Sequence, residues 1–309
     1  MRVLIVGAGA VGGYFGGRLI EAGRDVTFLV RPHRRAQLAA NGLVLTSPLG
    51  DFAAPEVRAI LAEEIDQPAD LVILSCKAYD LDGAISSFAA AMGPNTTILP
   101  LLNGIGHLDR LVARFGEGAV LGGLCSLAVT VDGAGRVLHL YAMHDLAFGE
   151  LRGGPSARVQ AIARTMEGAK FAWTASETIL REMWEKWVFL ATLAGITCLM
   201  RAGVGDIIAA GGLGTISALL AETQAVAEAA GHGARPEVLE KYRALLVAPE
   251  STLTASMLRD VEKGGPAEGE HVLGNLLERG HAAGLDLPLL GLATTHLRAF
   301  AARRLREAG

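Results

Sequence analysis

Lys186 sits in Met183-Trp184-Glu185-Lys186-Trp187-Val188-Phe189-Leu190, a run otherwise apolar except for Glu185. An ammonium group drawn into such a helix is costly to bury, and its pKa is readily lowered. It can then give a proton to a carbonyl oxygen while a hydride reaches the carbonyl carbon. A lysine that snorkels out of an amphipathic face leaves the same trace in a sequence. The residues around Lys186 leave both readings open.

The other pattern with chemical content opens the chain. Gly7-Ala8-Gly9-Ala10-Val11-Gly12 directly follows the apolar run Val3-Leu4-Ile5-Val6. The run predicts a buried parallel strand. The glycines predict a tight turn whose backbone comes close to a pyrophosphate and opens a helix over roughly residues 11–22. That helix stops at Gly23, and residues 25–30 read as a second strand. A strand, glycine turn, helix and second strand at this spacing predict a dinucleotide site. Gly7, Gly9, Ala10, Val11 and Gly12 would lie against the phosphates, with the helix N-terminus facing them. After the second strand, where NAD-binding folds place Asp or Glu, stands Arg31, followed by Arg34 and Arg35. A carboxylate there accepts bonds from ribose hydroxyls, whereas a guanidinium holds a 2′-phosphate by paired bonds. Arg31 therefore points to NADP(H).

The elements that must position these groups read as two domains in 309 residues. Residues 70–75 and 96–101 are two further buried strands, with a helix over 81–91 between them. Lys77 and Asn103-Gly104 come just past those strands, at the edge where open α/β sheets collect ligands. From 120 to 149 the texture becomes antiparallel, with a turn at Asp132-Gly133-Ala134-Gly135. A helix over 155–167 and a strand over 170–174 precede a tract that is helical to the C-terminus. The predicted architecture is an α/β Rossmann-like domain (1–175) followed by an all-α domain (176–309).

Composition excludes several classes. A net charge of −4 and the lack of a basic stripe with interleaved aromatics argue against a nucleic-acid partner. Cys76, Cys125 and Cys198 are odd in number and widely spaced, which fits a reduced cytoplasmic setting and neither a disulfide framework nor a zinc site. Glu268-Gly269-Glu270-His271 has no second ligand set at metal-site spacing, so no metal is expected. The apolar stretch Trp187–Met200 falls short of the ~20 residues of a membrane span and reads as a core helix. His107 reads as a surface-loop histidine. The Ala-rich helix over 218–230 permits close packing with a second copy, so a homodimer is compatible with the sequence.

Taken together, Gly7-x-Gly9-Ala10-x-Gly12, Lys77-Ala78-Tyr79-Asp80, Leu102-Asn103-Gly104, Trp184-x-Lys186 and Ser256-Met257-Leu258-x-Asp260 followed by Glu268 resemble the ketopantoate reductase (2-dehydropantoate 2-reductase) family, in order along the whole chain. The resemblance implies NADPH-dependent reduction of a small 2-oxo acid, as in pantothenate biosynthesis. It also implies a C-terminal domain like that of 6-phosphogluconate dehydrogenase. Lys186 would be the general acid, with Glu268 positioning the substrate and Ser256 helping to bind its carboxylate. Thr197 would line the substrate site, Lys77 and Asn103 the cofactor and substrate cleft, and Arg31 would meet the 2′-phosphate.

The chain departs from the family pattern at Leu190, Ala194 and Leu273, where the family usually carries asparagines. Loss of those amides predicts a more apolar 2-oxo acid, since unpaired buried polar groups cost ~1–3 kcal/mol each. Two other readings share these features. One is a reductase of the β-hydroxy-acid dehydrogenase type. The other is a non-catalytic NADP-binding sensor, which would have no need of Lys186 and Glu268.

Overall fold

The computed structural model describes residues 1–308, which form two compact units. Met1–Leu102 and His107–Leu180 make the first; Asn103–Gly106 and the chain from Arg181 make the second.

The first unit opens with β1 (Arg2–Val6), α1 (Ala10–Glu21) and β2 (Asp25–Leu29). β1 and β2 pair in parallel from Arg2 opposite Asp25 to Val6 opposite Leu29. α2 (Pro32–Asn41), β3 (Leu43–Thr46), β4 (Phe52–Ala54), β5 (Ala59–Ile60), β6 (Leu71–Leu74), α3 (Leu81–Phe88) and β7 (Thr97–Pro100) follow. The order β5-β2-β1-β6-β7 makes a parallel sheet whose winding reverses beside β1. Every residue of β6 and β7 is buried, as strands covered on both faces require.

α4 (Gly106–Phe115), β8 (Leu121–Val131), β9 (Val137–Glu150), α5 (Ala157–Met166) and β10 (Ala172–Ala175) come next. The turn between β8 and β9 is closed by Asp132, whose Oδ1 accepts the N–H groups of Ala134 and Arg136 at 3.0 and 2.9 Å. The two strands are longer than their short apolar runs suggest and stay out of the first sheet. They build a second one, ordered β10-β9-β3-β4 with β8 on β9. β3, β4 and β5 have only four, three and two residues, too few for periodicity to register in the sequence.

α1 contacts strands of both sheets, which explains a helix buried nearly all round. Its glycines make room for this. A Cβ on Gly16 would lie 2.5 Å from the Phe28 ring, and one on Gly13 would lie 2.7 Å from Val137. Each helical glycine costs ~1 kcal/mol in propensity, which the close packing offsets.

The second unit is helical: α6 (Ile179–Met200), α7 (Val204–Ala209), α8 (Leu213–Ala229), α9 (Pro236–Leu246), α10 (Ser256–Glu262), α11 (Asn275–Ala282) and α12 (Pro288–Ala308). A π-helical turn, Glu270–Gly274, leads directly into α11. α6 is longer than its apolar core suggests. Its 22 residues are long and apolar enough to cross a membrane by length and composition, and 72% of its apolar window is buried inside the protein, as in a core helix.

Candidate active site

In the first unit, the carboxyl ends of β1, β2 and β6 carry a backbone cradle. Gly7 donates its N–H to Leu29 O at 2.9 Å. Ser75, at the end of β6, donates its hydroxyl to Val6 O and Gly7 O at 3.0 and 3.1 Å, pinning the turn from the neighbouring strand. The first and last turn glycines are demanded by the protein itself. A Cβ on Gly12 would run into the Gly7 carbonyl and the Ser75 hydroxyl, and would lie 3.0 Å from Ile5.

Gly9 is different. A Cβ there would meet nothing within 4 Å. Packing does not require a glycine at this position, whereas the close approach of a pyrophosphate would. The residues therefore fit a dinucleotide, with Ala10 and Val11 in the first turn of α1 supplying N–H groups toward it.

The three arginines after β2 part company. Arg31 extends into solvent with its side chain 75% exposed and donates to Asp80 Oδ1 at 2.7 Å. That carboxylate pushes the Arg31 guanidinium pKa up. Arg34 turns inward: its Nε donates to Ala8 O at 2.8 Å and its Nη1 to Gly135 O at 2.9 Å, so it braces the glycine turn. Burial pushes its pKa down. Arg35 pairs with Glu64 at 2.7 Å. Lys77 is exposed at the end of β6, beginning the short turn that carries Asp80. Sequence reasoning missed Ser75 and Arg34 as supports. A serine closing an apolar strand was the only available signal for the first, and nothing local marked the second.

In the second unit, α6 sends its two adjacent charges in different directions. Glu185 is buried and accepts Arg235 Nε and Nη2 at 2.7 and 2.6 Å and the Arg235 backbone N–H at 2.9 Å. Its hydrogen bonds push the Arg235 pKa up. Lys186, half-buried, donates its Nζ to Asn103 Oδ1 at 3.3 Å. Asn103 belongs with the helical unit by its contacts, although it directly follows the β7 tract. Two residues 83 positions apart are thereby brought together.

Glu268 is half-buried just before the π turn, and its carbonyl accepts the Val272 N–H at 2.9 Å. Ser256 is exposed at the first residue of α10. Thr197 departs from expectation. It is fully buried, donates to Leu193 O at 2.7 Å and accepts the Ala255 N–H at 3.4 Å. It braces the segment before Ser256 and has no surface to offer a substrate.

Ala194 and Leu273 are buried as well, and of the three positions that depart from the family asparagines only Leu190 keeps partial exposure. Leu273 lies 3.5 Å from where a Cβ on Gly195 would be, inside the helical core. His107, expected on a surface loop, is fully buried in the first turn of α4.

A glycine turn at the winding reversal of a parallel sheet is where an open α/β fold holds a dinucleotide. Two family models, described as "Ketopantoate reductase PanE/ApbA" and "Ketopantoate reductase PanE/ApbA C terminal", match residues 3–153 and 178–301. The chain belongs to the ketopantoate reductase family. It is 37% identical over 306 residues to the uncharacterized oxidoreductase YkpB of Bacillus subtilis, covering 98% of this chain and 100% of that one. The crystal structure of 2-dehydropantoate 2-reductase from Methylococcus capsulatus superposes with a TM-score of 0.88 at 28% identity, covering 98% of each chain. D-mandelate dehydrogenase with NADH and anilino(oxo)acetate shares the fold (TM-score 0.87, 22% identity, 98% of this chain and 99% of that one).

Proposed function

We propose that the protein is an NADPH-dependent reductase of a 2-oxo acid, either 2-dehydropantoate or a related, more apolar acid. The observation that carries this reading is the Lys186 ammonium held on Asn103 Oδ1 at 3.3 Å. A surface-snorkelling lysine would not be half-buried on a side-chain amide carried by a segment that directly follows the β7 tract.

A bound reduced nicotinamide supplies the hydride to the carbonyl carbon. As the C–H bond forms and the C=O π pair moves onto oxygen, Lys186 Nζ gives its proton to that oxygen, leaving the 2-hydroxy acid and a neutral amine that solvent reprotonates. Asn103 restrains the ammonium between turnovers. Glu268 and Ser256 orient the substrate, and Lys77 contributes positive charge at the cofactor edge.

NADP(H) is supported by Arg31, which stands where an NAD-binding fold would place a carboxylate. The fold alone does not choose the nucleotide or the acid, since a D-mandelate dehydrogenase solved with NADH shares it. Leu190 supports a more apolar acid, at ~25 cal/mol for each Å² of apolar surface buried. Following NADPH absorbance at 340 nm against a panel of 2-oxo acids tests the reading. NADPH-dependent loss with at least one acid is expected, and none with any acid would refute it.

A further inference from the structure

The π turn Glu270–Gly274, with Asn275 at the start of α11, lies beside sequence neighbours of both Lys186 and Asn103. On the α6 side, Trp187, next to Lys186, donates its indole N–H to Val272 O at 2.8 Å. On the other side, His271 and Asn275 stand four residues apart and face the tetrapeptide Asn103–Gly106.

Gly104, next to Asn103, has φ +71°, and a Cβ on it would lie 3.3 Å from the His271 carbonyl and 3.5 Å from the His271 ring. A Cβ on Gly106 would lie 2.9 Å from Asn275 Cγ and 3.4 Å from its Nδ2. Leu273, between His271 and Asn275 and so on the opposite face, packs into the core near Gly195. The turn is thus wedged between α6 and the Asn103 segment, with a side-chain amide filling the space that a residue larger than glycine would need at 106. π turns widen a helix locally and often accompany functional sites.

We propose that this π turn and the first residue of α11 form the positioning frame of the proton donor, with Asn275 the principal positioning residue. The frame rests on the functional reading of Lys186. Through Gly106, Asn275 fixes where Asn103 Oδ1 stands, and through Val272 and Trp187 the same turn fixes where Lys186 stands.

The proposal makes a reciprocal prediction. Gly106→Ala drives its methyl group into the end of the Asn275 side chain, so the amide must turn aside or the Asn103 segment must shift. Displacement of about 1 Å at a catalytic group can cost ~10²-fold in rate. Gly106→Ala should therefore lower kcat by ~10²-fold, while NADPH affinity and melting temperature change little. Asn275→Ala alone should lower kcat by ~10-fold, and the isosteric Asn275→Asp by less than about 3-fold. Adding Asn275→Ala to Gly106→Ala removes the colliding amide and should restore kcat to within ~10-fold of wild type.

A readout independent of turnover is the rate at which Lys186 is acylated by an N-hydroxysuccinimide ester, followed by peptide mass spectrometry. It should rise several-fold in Gly106→Ala and fall back in the double variant. Unchanged acylation, or a double variant no better than Gly106→Ala, overturns the proposal. So does a fall in activity that merely tracks melting temperature. Acylation that changes as expected in a protein that reduces none of the acids upholds the frame and removes the functional reading instead.

Discussion

The glycine turn of the first unit and the lysine site of the second solve opposite problems. The turn works by leaving side chains out: the Gly7 carbonyl and Ser75 occupy the space a Cβ on Gly12 would need, while the space beside Gly9 is left open. Its supports are few, and its polar groups are mostly backbone. The lysine site works by bringing side chains in. Lys186, Asn103, Trp187, His271 and Asn275 come from three separated segments, and each is placed by a partner far away in sequence. A backbone cradle tolerates change wherever no atom is near. A side-chain constellation is as accurate as its least well held member.

The largest effect expected on either side of this contrast is that of Lys186→Ala. Removing a general acid should lower kcat by ~10²–10⁴-fold with NADPH affinity nearly unchanged. Lys186→Gln should not rescue the rate, since an amide offers a hydrogen bond but no proton. Steady-state kinetics beside NADPH fluorescence titration check this, and an intact kcat in Lys186→Ala would return the residue to a packing role.

The two turn glycines break the contrast most directly. Gly12→Ala should lower the melting temperature, because packed backbone must shift; overpacking typically costs ~1–3 kcal/mol. Gly9→Ala should leave melting unchanged and weaken NADPH by ~10-fold or more, because its methyl group meets only the incoming phosphate. Thermal melts with and without NADPH separate the two. Equal losses of stability would mean that the space above Gly9 is not the phosphate's.

Smaller still are the changes at the cofactor edge. Arg31→Asp should weaken NADPH much more than NADH, by placing an anion beside the 2′-phosphate. Asp80→Asn releases Arg31 from its ion pair and should tighten NADPH by a few-fold, the scale of an exposed pair worth ~0.2–1 kcal/mol. Isothermal titration with both nucleotides measures each change.

The smallest effect lies in pH dependence. Arg158 donates to Glu150 at 2.7 Å and holds its carboxyl below the ordinary carboxylate value. A depressed acid contributes stability that is complete above its unfolded pKa and is lost as pH falls through the folded one. Glu150→Gln should therefore flatten the loss of stability on acidification below about pH 4.5 and leave the neutral range little changed in slope. Urea melts from pH 3 to 7 would show it.

The readable parts share a physical cause. β1, β2, β6 and β7 lie in predominantly apolar runs, α1 directly follows the first of them, and the glycine turn depends on neighbours within a few residues. Both were visible in the chain, as was the Lys186 helix. Of the second sheet, the β8–β9 hairpin and β10 were visible and β3 and β4 were not, because β3 has only three apolar residues in succession and β4 only three residues in all. Thr197 and His107 were misplaced for a related reason. A polar residue in an apolar stretch gives no sign of whether its bonds go outward or to a buried carbonyl, as those of Thr197 do.

By itself, then, the sequence determined a parallel nucleotide-binding sheet with a glycine turn, a helical tract, and a lysine set within an apolar run of that tract. These are local properties, set by period, backbone freedom and residue chemistry. Only the tertiary structure decided that Glu185 turns to Arg235 while Lys186 turns to Asn103, that Arg34 braces the turn while Arg31 stays in solvent, and that Asn275 faces Gly106 while Leu273 enters the core. The reason is geometric. A step of one or two residues along a helix rotates a side chain by ~100° or ~200°, so identity and spacing bound what a residue can do, and only packing fixes the direction in which it does it.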